Sequence, residues 1–169
     1  LAEDGMNVEV PKIVRVEDLQ PGTLFYHLNA GQGVLCISGD STQERGADQR
    51  QVIPLQYDAS PGSVGVGIYQ SHFPGWALIL EDAVARVDET SAATDGVDAR
   101  IFVSDAGLYC PVLGGRGFRA GFIDLASGKI SPHVSNLIGF TRWEIVRAGD
   151  PDSVIWSSEG QANDEKNQG

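Results

Sequence analysis

The chain contains few cysteines and no long apolar run. Its only thiols are Cys36 and Cys110, too few for the dense disulfide framework of a small secreted domain. One bridge between them stays open, but two reduced and buried thiols are favoured, which points to a cytoplasmic or intracellular protein. No apolar stretch has the length of a membrane span, and no signal-peptide pattern is present. We therefore expect a protein of the cytoplasm or of a large assembly such as a virion, with no membrane partner.

Sequence motifs of catalysis are also missing. The PGSVG segment at 61–65 resembles the nucleophile motif GxSxG only superficially. Cys110 stands next to Pro111 in a strand-like run where nothing marks a base, so a small buried hydrophobe is favoured. Glu81 and Asp82 are adjacent and would point to opposite faces of a strand. The sequence favours a protein without catalytic activity, although a site assembled from distant loops leaves an enzyme open.

Basic residues are scarce relative to acidic ones. The chain has 12 Lys and Arg against 23 Asp and Glu, a net charge of -11, and such a field opposes nucleic-acid binding. The charge is uneven: residues 1–99 carry -10, residues 100–149 carry +3 and residues 150–169 carry -4. The positive segment is either ordinary surface variation or a local patch for an anionic ligand or for the acidic face of a neighbouring subunit.

Runs of strong helix formers are rare, whereas glycine is abundant at 21 residues and turn signals recur at short intervals. This pattern predicts an all-β fold, a small barrel or sandwich of about eight to ten strands. One stretch is ambiguous. The segment 72–89 begins as a strand at WALIL, but its second half fits a helix through Leu80, Val84 and Val87 as well as a strand through VARV.

The chain is expected to have three parts. Residues 1–12 form a flexible N-terminal arm, residues 13–156 a single β-rich domain, and residues 157–169 a polar, disordered tail. A polar stretch at 39–50 has no apolar period and is predicted to be an exposed loop. This loop and the two termini would serve as contact arms.

An internal duplication is a hypothesis for the β-rich domain. Turn residues recur in the same order in 13–89 and 99–148, as in DASPG at 58–62 and DLASG at 124–128. Turns look alike in unrelated loops, so a chance match stays open. If the repeat is real, two similar β units would close one barrel or pack as a sandwich.

The segment GLYCPVLGGRGFRAG at 107–121 raises the question of an anion site. A phosphate loop needs backbone amides at a helix N-terminus and usually a lysine after the glycines. Here the following FRAGFIDL alternates like a strand, so a glycine hairpin turn is favoured. If an anion or a partner does bind, Arg116 and Arg119 are the expected cationic contacts, with Phe118 as a stacking neighbour.

The three histidines, His27, His72 and His133, lie far apart and have no metal-binding spacing. If the duplication exists, His72 and His133 would face each other near a pseudo-twofold axis, with Asp58 or Asp124 as further ligands. Ordinary strand-end histidines are the favoured alternative. We therefore expect no metal and no cofactor.

Aromatic residues collect late in each half of the chain. Trp76 and Trp143 are assigned to the core, but together with His72 and His133 they would also line a pocket between the two halves. Trp156 stands alone in the acidic tail, and we expect it to dock onto a partner or another subunit.

The function predicted from these features is a non-catalytic structural or interaction module, which assembles with itself or docks on a larger protein assembly. Polar excursions around a compact glycine-rich core and segments of opposite charge favour it. The alternative is a small-molecule or carbohydrate-binding protein, or an enzyme, with a pocket between the two β halves.

Overall fold

The computed structural model describes residues 10–29, 32–41, 50–55, 64–66, 68–94, 98–113 and 119–159. Within these residues the fold is all-β, as predicted. The strands are β1 (Ile13–Arg15), β2 (Leu24–Asn29), β3 (Gln32–Ser41), β4 (Arg50–Pro54), β5 (Val64–Val66), β6 (Ile68–Tyr69), β7 (Trp76–Ile79), β8 (Ala83–Val87), β9 (Ile101–Ser104), β10 (Gly107–Leu113), β11 (Arg119–Asp124), β12 (Lys129–Ser131), β13 (Ile138–Phe140), β14 (Trp143–Arg147) and β15 (Asp150–Ser157). Three short 3-10 helices accompany them: η1 (Val16–Asp18), η2 (Gln70–His72) and η3 (Glu89–Ser91).

The strands form two sheets. The larger sheet has the strand order β1-β7-β2-β3-β12-β11-β10-β9-β13, and β4, β5 and β6 branch from it. The smaller sheet has the order β15-β14-β8. Among the described strands, β12 pairs in parallel with β3 and β5 with β10, and the other pairings are antiparallel. Neither sheet closes into a barrel within the part of the chain that the structure describes.

The two sheets share one apolar core. Its largest cluster joins side chains of the larger sheet to Trp143, Ile145 and Trp156 of the smaller sheet. Ala85 and Val87 of β8 lie directly opposite Ile145 and Trp143 of β14, so these side chains face the same core. Burying a large apolar side chain contributes about 1.5–3 kcal/mol, and this cluster therefore holds the smaller sheet against the larger one.

The first three residues of strand β2 are apolar because the strand is covered there on both faces. Leu24 and Tyr26 pack against the core shared by the two sheets. Phe25, between them, belongs to a second cluster with Val16 and Leu19 of the η1 region. Because successive side chains of a strand alternate in direction, a strand that is covered on both faces needs apolar residues at every position.

Two turns meet beside the larger sheet and bring β2 next to the β11–β12 connection. The connection from β11 to β12 is a tight turn, because the Gly128 N–H donates to the Asp124 carbonyl at 2.8 Å. Gly128 has a φ of +71°, and a Cβ there would lie 2.1 Å from the Gly22 nitrogen. Only glycine permits both this backbone conformation and this approach.

Several predicted bounds differ from the observed elements. The stretch 39–50 was expected to be a loop, but β3 continues to Ser41 and β4 begins at Arg50. The tail was expected from 157, but Ser157 ends β15, and the buried Ser158 accepts a hydrogen bond from the Trp143 N–H at 3.0 Å. Residues 1–9, 42–49 and 160–169 lie outside the described residues. The duplication is not tested by these strands and stays a prediction.

Candidate functional site

A cleft of about 530 Å³ lies between the two sheets. The larger sheet contributes Leu24 and Ile37, and the smaller sheet contributes Ala85, Trp143 and Ile145. Its volume and mostly apolar wall are in the range of small-molecule sites. The remaining lining residues are Lys12, Val14, Asp18, Leu19, Gln20, Gly22, Thr23, Leu55, Ile79, Leu80, Glu81, Ala83 and Leu125.

Three polar side chains of this cleft have partners within the chain. The Lys12 ammonium lies 2.6 Å from the Glu81 carboxylate, and both side chains are exposed. The Thr23 hydroxyl donates to the Gln20 carbonyl at 2.7 Å. An exposed ion pair contributes about 0–1 kcal/mol, so this pair adds little to the stability of the fold.

A second feature is an apolar patch on the outer strands β1, β7 and β2, which we call the edge patch. It consists of Ile13, Leu28 and Trp76, whose exposed fractions are 47%, 42% and 50%. Trp76 is opposite Leu28 on one side and Arg15 on the other, so these side chains share one face of the sheet. The Arg15 guanidinium lies 5.3 Å from the centre of the Trp76 ring, within the range of a cation–π contact.

Strand β1 is the end of the larger sheet among the described strands. The Ile79 N–H donates to the Lys12 carbonyl at 3.0 Å, and the Val16 N–H donates to the Gly75 carbonyl at 3.1 Å. Antiparallel pairs alternate between bonded and non-bonded positions, so Ile13 and Arg15 direct their N–H and C=O groups away from β7. No described strand pairs with these groups, so they make an open edge beside the edge patch.

A pocket lined by His72, His133, Trp76 and Trp143 stays a prediction. Of these four residues only Trp143 lines the cleft. His72 belongs to η2 and His133 to the loop before β13, and both are exposed. The core assignment is confirmed for Trp143, which is 2% exposed. It is wrong for Trp76, which lies in β7 near the end of the larger sheet and is 50% exposed.

His27 has a structural role that the sequence did not reveal. It is buried in β2, its Nε2 lies 2.9 Å from the Pro74 carbonyl, and its ring packs against Phe73 with a centroid distance of 4.4 Å. A Cβ on Gly75, whose φ is +124°, would lie 2.8 Å from that nitrogen. His27 therefore holds the turn that leads into β7 and Trp76. No sequence signal marks a contact across this distance along the chain.

The interpretation of Trp156 as a tail residue is corrected. Trp156 lies in β15, is 8% exposed, and its ring centroid is 4.7 Å from that of Trp143. β15 pairs with β14 despite its acidic start, because Ile145 lies opposite Trp156 and both join the shared core. The ring expected to dock onto a partner is packed inside its own chain.

The proposed anion contacts Arg116 and Phe118 lie outside the described residues. Arg119 begins β11 opposite Leu113, but its side chain is not described. Two other basic side chains of the segment 100–149 bind groups of their own chain. Arg142 lies 2.8 Å from the Asp88 carboxylate, and Arg100 donates to the Ser158 carbonyl at 2.8 Å.

The two thiols are buried inside the larger sheet. Burial raises the pKa of Cys36 to about 12 and raises the pKa of Cys110 still further above its ordinary value. A thiol that stays protonated is a poor nucleophile. Both cysteines are free, so the expectation of two reduced, buried thiols is met by the fold.

The buried side chain of Gln70 joins two 3-10 helices, and its acceptor atom lacks a hydrogen bond among the described residues. The Gln70 amide nitrogen donates to the carbonyls of Val16 and Leu19 at 2.6 and 3.3 Å, which ties η2 to η1. The Gln70 Oε1 atom has no donor among the described residues.

Asp124, proposed as a metal ligand, instead accepts from Ala126 within its turn at 3.0 Å. Among the described residues, no three His, Cys, Asp or Glu side chains converge on a possible metal site.

Comparisons with models of known protein families, with curated proteins and with solved structures found no match. None of the helices in the described ranges is both long enough and apolar enough to span a membrane.

Proposed function

We propose that this chain is a non-catalytic interaction module that assembles with itself or docks on a larger protein through the edge patch. The observation that supports this is the grouping of Ile13, Leu28 and Trp76 on neighbouring strands with about half of each side chain exposed. Single exposed apolar residues are common, but a contiguous group that includes a tryptophan is typical of protein interfaces.

The open edge of β1 supports the same proposal. Backbone groups at a sheet edge can pair with a strand from another chain. Here the edge and the apolar patch are adjacent, so one partner would satisfy the backbone and cover the side chains together. A large assembly such as a virion, or the cytoplasm, is the setting we propose for this module.

The test is the mass of the full chain by analytical ultracentrifugation over a wide concentration range. We expect multiples of 18.0 kDa and a weaker association in the Ile13→Ser/Trp76→Ser variant. Val84 is 47% exposed on the other sheet, so Val84→Ser is the matched control and should associate like the wild type. A wild-type chain that remains monomeric at every concentration would reject self-assembly.

A ligand-binding protein is the second candidate, because the cleft between the sheets has the volume and apolar wall of a small-molecule site. Native mass spectrometry would distinguish it. An added mass that is lost on denaturation, and that Ala85→Leu removes by narrowing the cleft, would support this candidate. A bare chain in the presence of self-association would favour the interaction module.

Two finer features of the architecture accompany the proposal. The core shared by the sheets supports a sandwich-like packing. The β2–β3 and β10–β11 hairpins support the duplication of 13–89 and 99–148. The anion or partner contact through Arg116, Phe118 and Arg119 also stays a proposal, supported by the positive charge of 100–149.

A further inference from the structure

We propose that two copies of this chain pair antiparallel along β1, around a twofold axis at Val14, so that the larger sheet continues from one copy into the other. The proposal rests on the interaction function above and specifies how self-assembly occurs. It follows from the direction of the backbone groups, the charges around the strand and the state of the other end of the sheet.

The backbone supplies the register. Ile13 and Arg15 direct their N–H and C=O groups outward, whereas Val14 bonds to β7. An antiparallel partner must place an outward residue opposite an outward residue. The twofold register around Val14 does this, because Ile13 of each copy then faces Arg15 of the other. Each such pair exchanges both of its backbone hydrogen bonds, and the two Val14 residues oppose each other without hydrogen bonds.

The charged residues near β1 do not prevent this edge from pairing with a second chain. Short strands, lysines and prolines commonly protect sheet edges, and β1 is short and preceded by Pro11. However, the Lys12 ammonium is bound to Glu81 at 2.6 Å, and the Arg15 guanidinium lies over the Trp76 ring. Both cationic side chains are more than half exposed, but each has a partner in its own chain, and Ile13 adds a 47% exposed apolar side chain to the same strand.

The antiparallel register is also complementary in charge. Lys12 stands at the start of the strand, and Glu17 and Asp18 follow its end in η1. Lys12 is paired with Glu81 but remains 57% exposed, and reversing the second copy brings this cation near Glu17 and Asp18 of the other strand. A parallel pairing would instead place like charges side by side.

The far end of the larger sheet is less suitable for pairing. There β13 is covered in part by the chain itself, because the Ala93 N–H donates to the Gly139 carbonyl at 2.8 Å and Ala92 bridges to Phe140. A twofold contact through β1 alone closes at two copies. It would place both edge patches on one face of a continuous sheet, where a larger protein could bind them.

The first test compares Arg15→Pro with Arg15→Ala by analytical ultracentrifugation of the full chain. Arg15 has a φ of -71°, which proline adopts without strain. Its N–H points away from β7, so proline removes a donor that only the second copy uses. We expect Arg15→Ala to keep the dimer and Arg15→Pro to raise its dissociation constant at least about tenfold.

The second test uses cysteines and does not depend on proline. In the proposed register the two Val14 Cα atoms lie about 4.5 Å apart, within the range that a disulfide can bridge. We expect Val14→Cys to form a covalent dimer under mild oxidation. Ile13→Cys is the control, because its copies are displaced along the strands and should not link. Cys36 and Cys110 are buried and do not interfere.

The outcomes separate the two proposals. A dimer that survives Arg15→Pro, or that links through Ile13→Cys and not through Val14→Cys, would overturn pairing along β1 while leaving the interaction function in place. A wild-type chain that stays monomeric at every concentration would overturn pairing along β1 and the self-assembly part of the interaction function, and would leave docking on another protein through the edge patch in place.

Discussion

Two regions of the molecule treat tryptophan in opposite ways. Trp143 and Trp156 of the smaller sheet pack on each other and are almost fully buried, whereas Trp76 of the larger sheet is half exposed. All three lie in strands. The difference is what covers the strand: the smaller sheet has the larger one over its inner face, and the outer end of the larger sheet has no cover among the described residues. Burial by a second sheet therefore separates a tryptophan that stabilises the fold from one available to a partner.

The largest expected effect comes from removing a covered ring. Trp143→Ala should lower the free energy of unfolding by about 3–5 kcal/mol, because it opens a cavity under the smaller sheet and removes the contact with Trp156. Urea denaturation with fluorescence and circular dichroism would measure it.

Trp76→Ala is the matched variant and should cost about 1 kcal/mol or less, because water already covers half of the ring. Equal losses in the two variants would contradict the contrast between the regions.

The smaller sheet shows which strands local sequence patterns predict and which they leave undecided. The all-β prediction holds for β14 (Trp143–Arg147), the central strand of the smaller sheet. The stretch VARV, which fitted a helix or a strand, is β8, because pairing with β14 places Ala85 and Val87 on the core. Local spacing could not decide this, since the partner strand lies far away along the chain.

The packing of Trp156 and most of the residues that line the cleft were missed for related reasons. The residues around Trp156 are polar and acidic, so local composition indicated a tail, but Ile145 on the neighbouring strand supplies the apolar partner. The cleft depends on how the smaller sheet lies against the larger one, which no local pattern encodes. Likewise, the exposure of Trp76 reflects the position of β7 near a sheet end rather than its apolar segment.

An intermediate effect is expected at the end of the covered sheet. Ser158 is buried, and its hydroxyl accepts the Trp143 N–H at 3.0 Å. Ser158→Ala should lower the free energy of unfolding by about 1–3 kcal/mol, because that N–H loses its acceptor in a buried place.

Urea denaturation would measure the loss, with Ser153→Ala, farther along β15 and half-buried, as the control. If Ser158→Ala were neutral, residues beyond β15 would not contribute to holding Trp143, and the predicted tail boundary at 157 would regain support.

The smallest effect concerns pH and the connection between the sheets. Hydrogen bonds from Thr90, and then the charge of Arg142, lower the pKa of Asp88 below its ordinary value of 3.8. A carboxylate whose pKa is lower in the folded state than in the unfolded state stabilises the fold above its unfolded pKa, and that contribution is lost as pH falls through the folded value.

The difference in the free energy of unfolding between wild type and Asp88→Asn should therefore be constant above about pH 5 and shrink as the pH falls below the ordinary pKa. Denaturation curves across this range would measure it, with Asp105→Asn in an exposed turn as the control. A difference that stayed constant to low pH would show that Asp88 acts as the N-cap of η3 and not through its charge.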